Sequence, residues 1–327
     1  MDSFINTFIY FNLFLRIQIE TVFIMANIIK RKYIGAICNR DLEVLDHIKK
    51  FLIKNYNITI VNLMKNGLES FNAKYLEKRL RKYPISFLIV KLTTQELNEK
   101  IFRIVKEICP EIPLLNTLES VRLCESRQNT FNFIKNNYNK ILTPRSFSTK
   151  LDAINASKKG LRIIVKLNSH NIPDLPKNDR IIGIAKNYGE LVELMNNYDE
   201  KELFFQQYLG EHDILYKIYV IGNWVISITS HNRLQQLDKL SPLELIHTRI
   251  PVEDLFKKRV IRLGRKFGMS VFGLDYILTE GGSYVVDIND FPSFRSVPEG
   301  ISLISDHIYN LINIREQYRN AFVKAKS

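Results

Sequence analysis

Two strands joined by a tight turn carry the residues best suited to chemistry. The segment VFGLDYILTEGGSYVVDINDFPSF, from Val271 to Phe294, puts Asp275 in the first strand and Asp287 and Asn289 at the end of the second. Asp287 and Asn289 are two residues apart and therefore share one face of their strand. Pairing the strands brings Asp275 beside them. Two carboxylates and an amide oxygen suit Mg²⁺, a hard cation bound through oxygen and usually shared with substrate phosphates. A lone D-x-N at a strand end is ordinarily a solvated feature. Here the neighbours in VFGLDYI and YVVDIND are apolar, and carboxylates drawn into such surroundings need a cation or hydrogen-bond donors.

Two lysines complement the acidic trio. Lys166 ends the apolar strand RIIVK, and Lys217 lies inside LYKIYVIG. A lysine in an apolar strand either runs its stem out to the sheet edge or sets its ammonium on an anion. Two such lysines with a Mg²⁺-type trio point to a triphosphate neutralised from opposite sides, as phosphoryl transfer requires. The chain has no G-x-x-x-x-G-K-[ST] loop, so the site is not of the Walker type. The segment Phe204-Phe205-Gln206-Gln207-Tyr208-Leu209 leads out of a core. Its backbone offers polar groups to an adenine edge, with Phe204 or Leu209 against the ring, although in isolation it is simply a core strand.

The elements that must position these residues follow from hydrophobic spacing. Strands are predicted at Tyr33 to Cys38, Ile58 to Leu63 and Ile85 to Val90. They alternate with helices at Leu42 to Leu52, Phe71 to Leu80 and Leu97 to Ile108, the pattern of a small parallel α/β unit. Gly35 stands alone after the first strand, so no dinucleotide fingerprint is present. One helix is expected from Leu118 to about Asn136. A strand–helix–strand stretch follows, from Ser146 to Lys166. Leu167 to Asp179 reads as a loop, and Tyr188 to Met195 as a helix. Strands come next at Leu203 to Leu209, Leu215 to Val220 and Trp224 to Thr229, the last two joined by the turn Gly222-Asn223. A long connection runs from Ser230 to Pro251. A basic amphipathic helix (Leu255 to Phe267), the acidic strand pair and a final helix (Ile301 to Phe322) complete the chain.

Composition bounds the answer. A chain of 327 residues can form two or three packed units, and 46% apolar with 25% charged residues is ordinary for a soluble globular protein. The formal net charge of +13 fits an anionic ligand. The basic residues are not interleaved with aromatics as a single-strand nucleic-acid platform needs, which argues against nucleic acid; a solvated surface explains most of them. Cys38, Cys109 and Cys124 form no C-x-x-C pair. Reduced thiols in a cytoplasmic protein are expected, with no zinc site or disulfide framework. Phe4 to Leu15 is apolar but too short to span a bilayer, and it lacks a basic stretch in front. Residues 1–25 are therefore read as an extension outside the fold, with no membrane span.

Taken in order, Lys166, FFQQYLGEHD, LYKIYVIGNWV, GLDYI and VVDINDFPSF resemble the ATP-grasp superfamily over about residues 33 to 315. LYKIYVIG and the D-x-N-x-F-P motif are most similar to the inositol trisphosphate 5/6-kinase branch. EIPLLNTLESVRLCESRQNTFNFI resembles the entry helix of RimK-type amino-acid ligases and of those kinases. The resemblance implies an α/β ATP-grasp fold, in which a Rossmann-like N-terminal unit precedes two α+β units clamping the nucleotide. The corresponding domains are 26–117, 118–205 and 206–327.

It also implies roles. Arg127 and Lys166 would reach the nucleotide phosphates, and Gln206, Gln207, Tyr208 and Leu209 would form the adenine hinge. Asp213 falls near the ribose position, and Lys217 is the second nucleotide lysine. Asp275, Asp287 and Asn289 match the magnesium ligands. Arg295 would face the acceptor, and Arg233 would approach the transferred phosphate.

Two departures stand out. The glycine-rich or histidine–glycine phosphate loop is replaced by the glycine-free Leu167-Asn168-Ser169-His170-Asn171-Ile172-Pro173. Such a loop is poorly suited to forming a backbone phosphate nest, and His170 is the residue that can cap the phosphates instead. Asp287 stands where ligases more often carry glutamate.

The expected activity is ATP- and Mg²⁺-dependent transfer of the γ-phosphate to a carboxylate, followed by amine attack, with an anionic small molecule, amino acid or peptide as acceptor. The alternatives are a small-molecule hydroxyl kinase and a nucleotide-binding module without turnover.

Overall fold

The computed structural model describes residues 31–64, 67, 69–173, 175, 180–212, 214–231 and 247–324. The expected N-terminal extension lies outside them. The first unit contains β1 (Lys32–Cys38), α1 (Leu42–Tyr56), β2 (Ile58–Asn62), α2 (Ala73–Lys82), β3 (Ile85–Lys91), α3 (Leu97–Ile108) and β4 (Leu114–Leu115). Its sheet is parallel, in the order β2-β1-β3-β4. The central strands are buried on both faces, so they read as continuous apolar runs without alternation. The α2 helix starts two residues later than the spacing predicts, because the side chain of Asn72 caps it by accepting from the Tyr75 N–H.

The single helix expected from Leu118 is two: α4 (Leu118–Cys124) and α5 (Arg127–Asn137). The break is at Ser126, which is extended (φ −126°, ψ 125°) and accepts from the Asn129 N–H through Oγ. A serine with a local acceptor role competes with helix continuation. Next come β5 (Ser146–Phe147), α6 (Lys150–Lys158), β6 (Ile163–Leu167), β7 (Ile181–Ala185), α7 (Tyr188–Met195) and β8 (Leu203–Gln207), forming an antiparallel sheet in the order β5-β8-β6-β7. Strand β7 was not anticipated, since IIGIA is short and holds a glycine. That glycine has a packing reason: a Cβ on Gly183 would come within 2.8 Å of Leu194.

The third sheet is antiparallel, in the order β11-β10-β9-β12-β13. It uses β9 (Ile214–Ile221), β10 (Trp224–His231) and β11 (Arg249–Ile250), then α8 (Asp254–Phe267), β12 (Val271–Thr279) and β13 (Gly282–Asp290), and it is followed by α9 (Gly300–Lys324). One face packs Ile218, Val220 and Phe272 against Val260, Leu263 and Phe267 of α8 and Phe131 and Ile134 of α5. The other face packs Tyr219 and Ile221 against Ile304 and Ile308 of α9, in a core shared with α1. Tyr56 of α1 stacks on Tyr309 at 4.1 Å between ring centroids, which fixes the first unit against the third sheet. Among the described residues no helix is long and apolar enough to cross a membrane.

Candidate active site

The acidic hairpin pairs in the register its sequence suggests. Asp275 on β12 lies directly opposite Asp287 on β13, and Gly273 lies opposite Asn289. On the other side of β12, Asp275 lies opposite Lys217 of β9. Lys217 Nζ is 3.8 Å from Asp275 Oδ2. The result is a row of lysine, aspartate and aspartate across three neighbouring strands. Two carboxylates facing each other across a ladder destabilise a sheet unless a cation serves both. Among the described residues no three His, Cys, Asp or Glu side chains gather to hold a metal. The acidic trio contains two carboxylates, the number Mg²⁺ takes when phosphate oxygens and water complete its shell.

Lys166 is 7% exposed. Its Nζ donates to Gln206 Oε1 at 2.9 Å and to the Val286 carbonyl at 3.1 Å, tying the second sheet to the third. Gln206 is also buried, and its Nε2 has no hydrogen-bond partner. Both side chains line a cleft between the two sheets. Ile164, Ile181, Leu215, Ile277 and Val286 give that cleft apolar walls, and Gln207, Tyr208 and Leu209 form its edge. Tyr208 is held there because its N–H donates to the Arg162 carbonyl at 2.9 Å. An apolar-walled slot with one unsatisfied buried amide is suited to a purine ring.

Where this slot ends, Asp287 meets three basic side chains. Arg127 Nε is 3.3 Å from Asp287 Oδ1, and His170 Nε2 is 3.1 Å from the same oxygen. Burial would raise the Asp287 pKa, but His170, Arg127 and Lys166 outweigh it and hold the carboxyl well below its usual range. His170 is 1% exposed. Burial and the Arg127 charge push its pKa down, against the pull of Asp287. Arg127 also donates through Nη1 to the carbonyls of Leu167 and Ser169, which pins the loop after β6.

The glycine-free loop takes the turn that glycine was expected to supply. Asn171 adopts a φ of 51°, the left-handed conformation that asparagine tolerates best after glycine. The loop is fastened to the first unit, because the Thr94 hydroxyl donates to the His170 carbonyl and the Thr94 N–H donates to the Asn171 carbonyl at 3.2 Å. His170 is thus a buried residue facing Asp287, not the exposed loop histidine that its polar surroundings suggest.

A second chamber continues past Asp275, Asp287 and Asn289 to the first unit, where Arg40, Asp41 and Thr93 line it together with Lys217 and Arg180. Behind it lies a charged cluster outside the predicted site residues. Lys91 is 2% exposed and sits 3.1 Å from Asp41. Burial and Arg40 lower its pKa to about 8, against the pull of Asp41. Arg40 pairs with buried Asp290 at 3.3 Å. A lysine closing the apolar strand ISFLIVK was the available signal, the same one that identified Lys166.

Arg295, expected to face the acceptor, is not among the residues lining either cavity. Asp41 and Glu43 hold its guanidinium at the surface. Arg233 and Asp213 lie outside the described residues.

Glu125, between α4 and α5, provides a test of local electrostatics. Its backbone carbonyl accepts from the His170 N–H at 3.0 Å. Burial, against a hydrogen bond from Asn98, raises its carboxyl from 4.5 to about 7. A carboxyl with a raised folded-state pKa favours folding most at low pH, and that contribution is lost as pH rises through about 7. Glu125→Gln should match the parent near pH 5 and exceed it by about 1–3 kcal/mol near pH 8, allowing for partial solvent exposure. Urea denaturation at the two pH values measures this; equal gains at both would contradict the assignment.

Comparison with known proteins places this geometry. Residues 225–310 match the family model of the inositol 1,3,4-trisphosphate 5/6-kinase ATP-grasp domain. Over 274 residues, 72% of this chain and 74% of the relative, the chain is 21% identical to inositol-tetrakisphosphate 1-kinase 1 of Oryza sativa subsp. indica. Its fold resembles D-alanine–D-alanine ligase of Bacillus anthracis complexed with ATP, at a TM-score of 0.59 and 15% identity over 88% of this chain and 99% of that one. This chain has the ATP-grasp fold. A RimK domain ATP-grasp protein of Sphaerobacter thermophilus shares the fold at a TM-score of 0.56 and 12% identity, covering 85% of this chain and 99% of the other. Similarity to the kinases over part of the chain is thus combined with a fold that ligases also use.

Proposed function

We infer that this ATP-grasp protein moves the γ-phosphate of ATP onto an acceptor oxygen held in the second chamber. One observation carries the reading: Lys166, from the second sheet, and Asp275 and Asp287, from the third, border one cleft whose far end is an apolar slot with an unpaired buried amide on Gln206. The purine takes the slot. Lys166 and Lys217 take the phosphates, and Arg127 holds the loop and Asp287 in place. Asp275, Asp287 and Asn289 are the residues that would hold Mg²⁺, which when bound neutralises developing phosphate charge. Asp275 and Asp287, directly opposed and flanked by Lys217, Arg127 and His170, suit that ion.

Two acceptors are compatible with this step. With a carboxylate, an acyl phosphate forms, ADP leaves, and an amine displaces phosphate to give an amide. With a polyol hydroxyl, a phosphate ester forms directly. The kinase-domain match over residues 225–310 supports the second. The ligase-type structural neighbours are compatible with the first, and the left-handed Asn171 gives the glycine-free loop the conformation that glycine would otherwise supply. Incubation with ATP, Mg²⁺ and fractionated metabolite pools, followed by product analysis, decides between ADP with an amide and ADP with a phosphate ester. Mg²⁺-dependent ATP binding with neither product would assign a binding module instead.

Lys217 gives a graded test. Its ammonium, 3.8 Å from Asp275, lines the second chamber next to the cleft. Lys217→Ala should weaken ATP binding about 10-fold, the value of one charge-assisted contact. Calorimetric titration with a non-hydrolysable analogue measures it, and unchanged affinity would remove Lys217 from the phosphate site.

A further inference from the structure

A surface away from the cleft combines charge and apolar exposure in an unusual way. Helix α8 buries Phe256, Val260, Leu263 and Phe267 against the third sheet. Its outward side carries Leu255, Lys258, Arg259 and Arg262, at the i, i+3, i+4, i+7 spacing of one helical face. Lys140 and Leu142 join them from the segment after α5, in one shallow depression with no carboxylate among its lining residues. The leucines are large and open to solvent, with Leu142 44% and Leu255 50% exposed. None of the four cations forms an ion pair among the described residues. Leu142 is presented on a fixed backbone, because its carbonyl accepts from the Val285 N–H at 2.9 Å.

A run of charge alone is usually a solvated face. The difference here is that two leucines flank the cations on a rigid support. A solvated basic face has no use for exposed leucines, and a duplex nucleic acid is gripped through phosphates without them. A single-stranded nucleic acid would want aromatic rings in the patch, and its lining residues include none. Cations at headgroup level with apolar side chains dipping between lipids are the signature of interfacial binding.

We propose that the face formed by Lys140, Leu142, Leu255, Lys258, Arg259 and Arg262 docks on an anionic lipid bilayer. None of the six lines the cleft or its second chamber, so docking leaves both open. The interaction is weak and salt-sensitive, since it rests on charge and two short apolar side chains.

Co-sedimentation of the full chain with phosphatidylserine-containing vesicles and with pure phosphatidylcholine vesicles tests this. Binding to the first only, weakening with salt, is expected. The double variant Lys258→Ala/Arg262→Ala should lower partitioning roughly 30-fold, about fivefold for each cation removed. Leu255→Ala should lower it several-fold without changing net charge. Both variants should keep the parent's melting temperature and ATP affinity, which separates lost docking from lost folding. Several results would overturn the proposal: equal binding to both vesicle types, no binding at low salt, or partitioning unchanged in the variants. So would full competition by free glycerophosphoserine, which would mean an isolated phosphate is bound and not a membrane. Tighter, variant-sensitive binding to duplex DNA would assign the face to nucleic acid.

Discussion

Replacing Asp287 with asparagine should reduce Mg²⁺-dependent turnover by roughly 10³-fold or more, the scale of losing charge stabilisation at a transferring phosphoryl group. The substitution keeps the shape and removes one negative charge. That charge sits between Arg127 and His170, opposite Asp275. Two further readouts separate a lost ligand from a lost fold. Mg²⁺ should tighten ATP binding to the parent and leave the affinity of Asp287→Asn unchanged. Stability should also respond to pH with a definite sign. The depressed Asp287 pKa means its contribution is present above the ordinary carboxylate range and is lost on acidification. The variant should therefore unfold at lower denaturant than the parent near pH 7, and the gap should narrow below about pH 4. Retained Mg²⁺-dependent turnover in a folded Asp287→Asn variant would remove the acidic hairpin from the mechanism.

Lys166→Met should weaken ATP binding by roughly 10- to 150-fold, equivalent to about 1.5–3 kcal/mol for hydrogen bonds to a charged group. Methionine keeps most of the aliphatic stem, so the packing of β6 changes little. The ammonium that bridges Gln206 and the Val286 carbonyl disappears. Adenosine, which lacks the phosphates, should bind parent and variant almost alike. A large loss for adenosine as well as ATP would show that the lysine supports the slot and not the phosphates. No loss for ATP would place the phosphates elsewhere.

The acidic hairpin was the most legible part of this molecule. Its strands are long, apolar and joined by Glu280-Gly281-Gly282-Ser283, so their register follows from local rules, and Asp275 lands opposite Asp287. The lysines were legible for a similar reason, since burial of an ammonium in an apolar strand leaves few explanations. What was not legible depends on distant contacts. His170 looks like a solvated residue in a polar loop, but Thr94 of the first unit and Asp287 of the third sheet close on it. The break between α4 and α5 turns on a serine whose hydroxyl also donates to Asn168 Oδ1 at 3.0 Å, 42 residues away. Arg295 looks free in sequence but is held by Asp41 and Glu43, more than 250 residues upstream. Lys91 carried the same signal as Lys166 and was passed over, although its strand also ends at the cavity.

The double attachment of Thr94 to the loop after β6 has a mechanical consequence. The parallel sheet and the histidine facing Asp287 are geared together: a rotation that widens the mouth between the first sheet and the third must drag the imidazole off the carboxylate or tear both hydrogen bonds. Opening that mouth and moving His170 are then one motion, and a change at Thr94 would act on both.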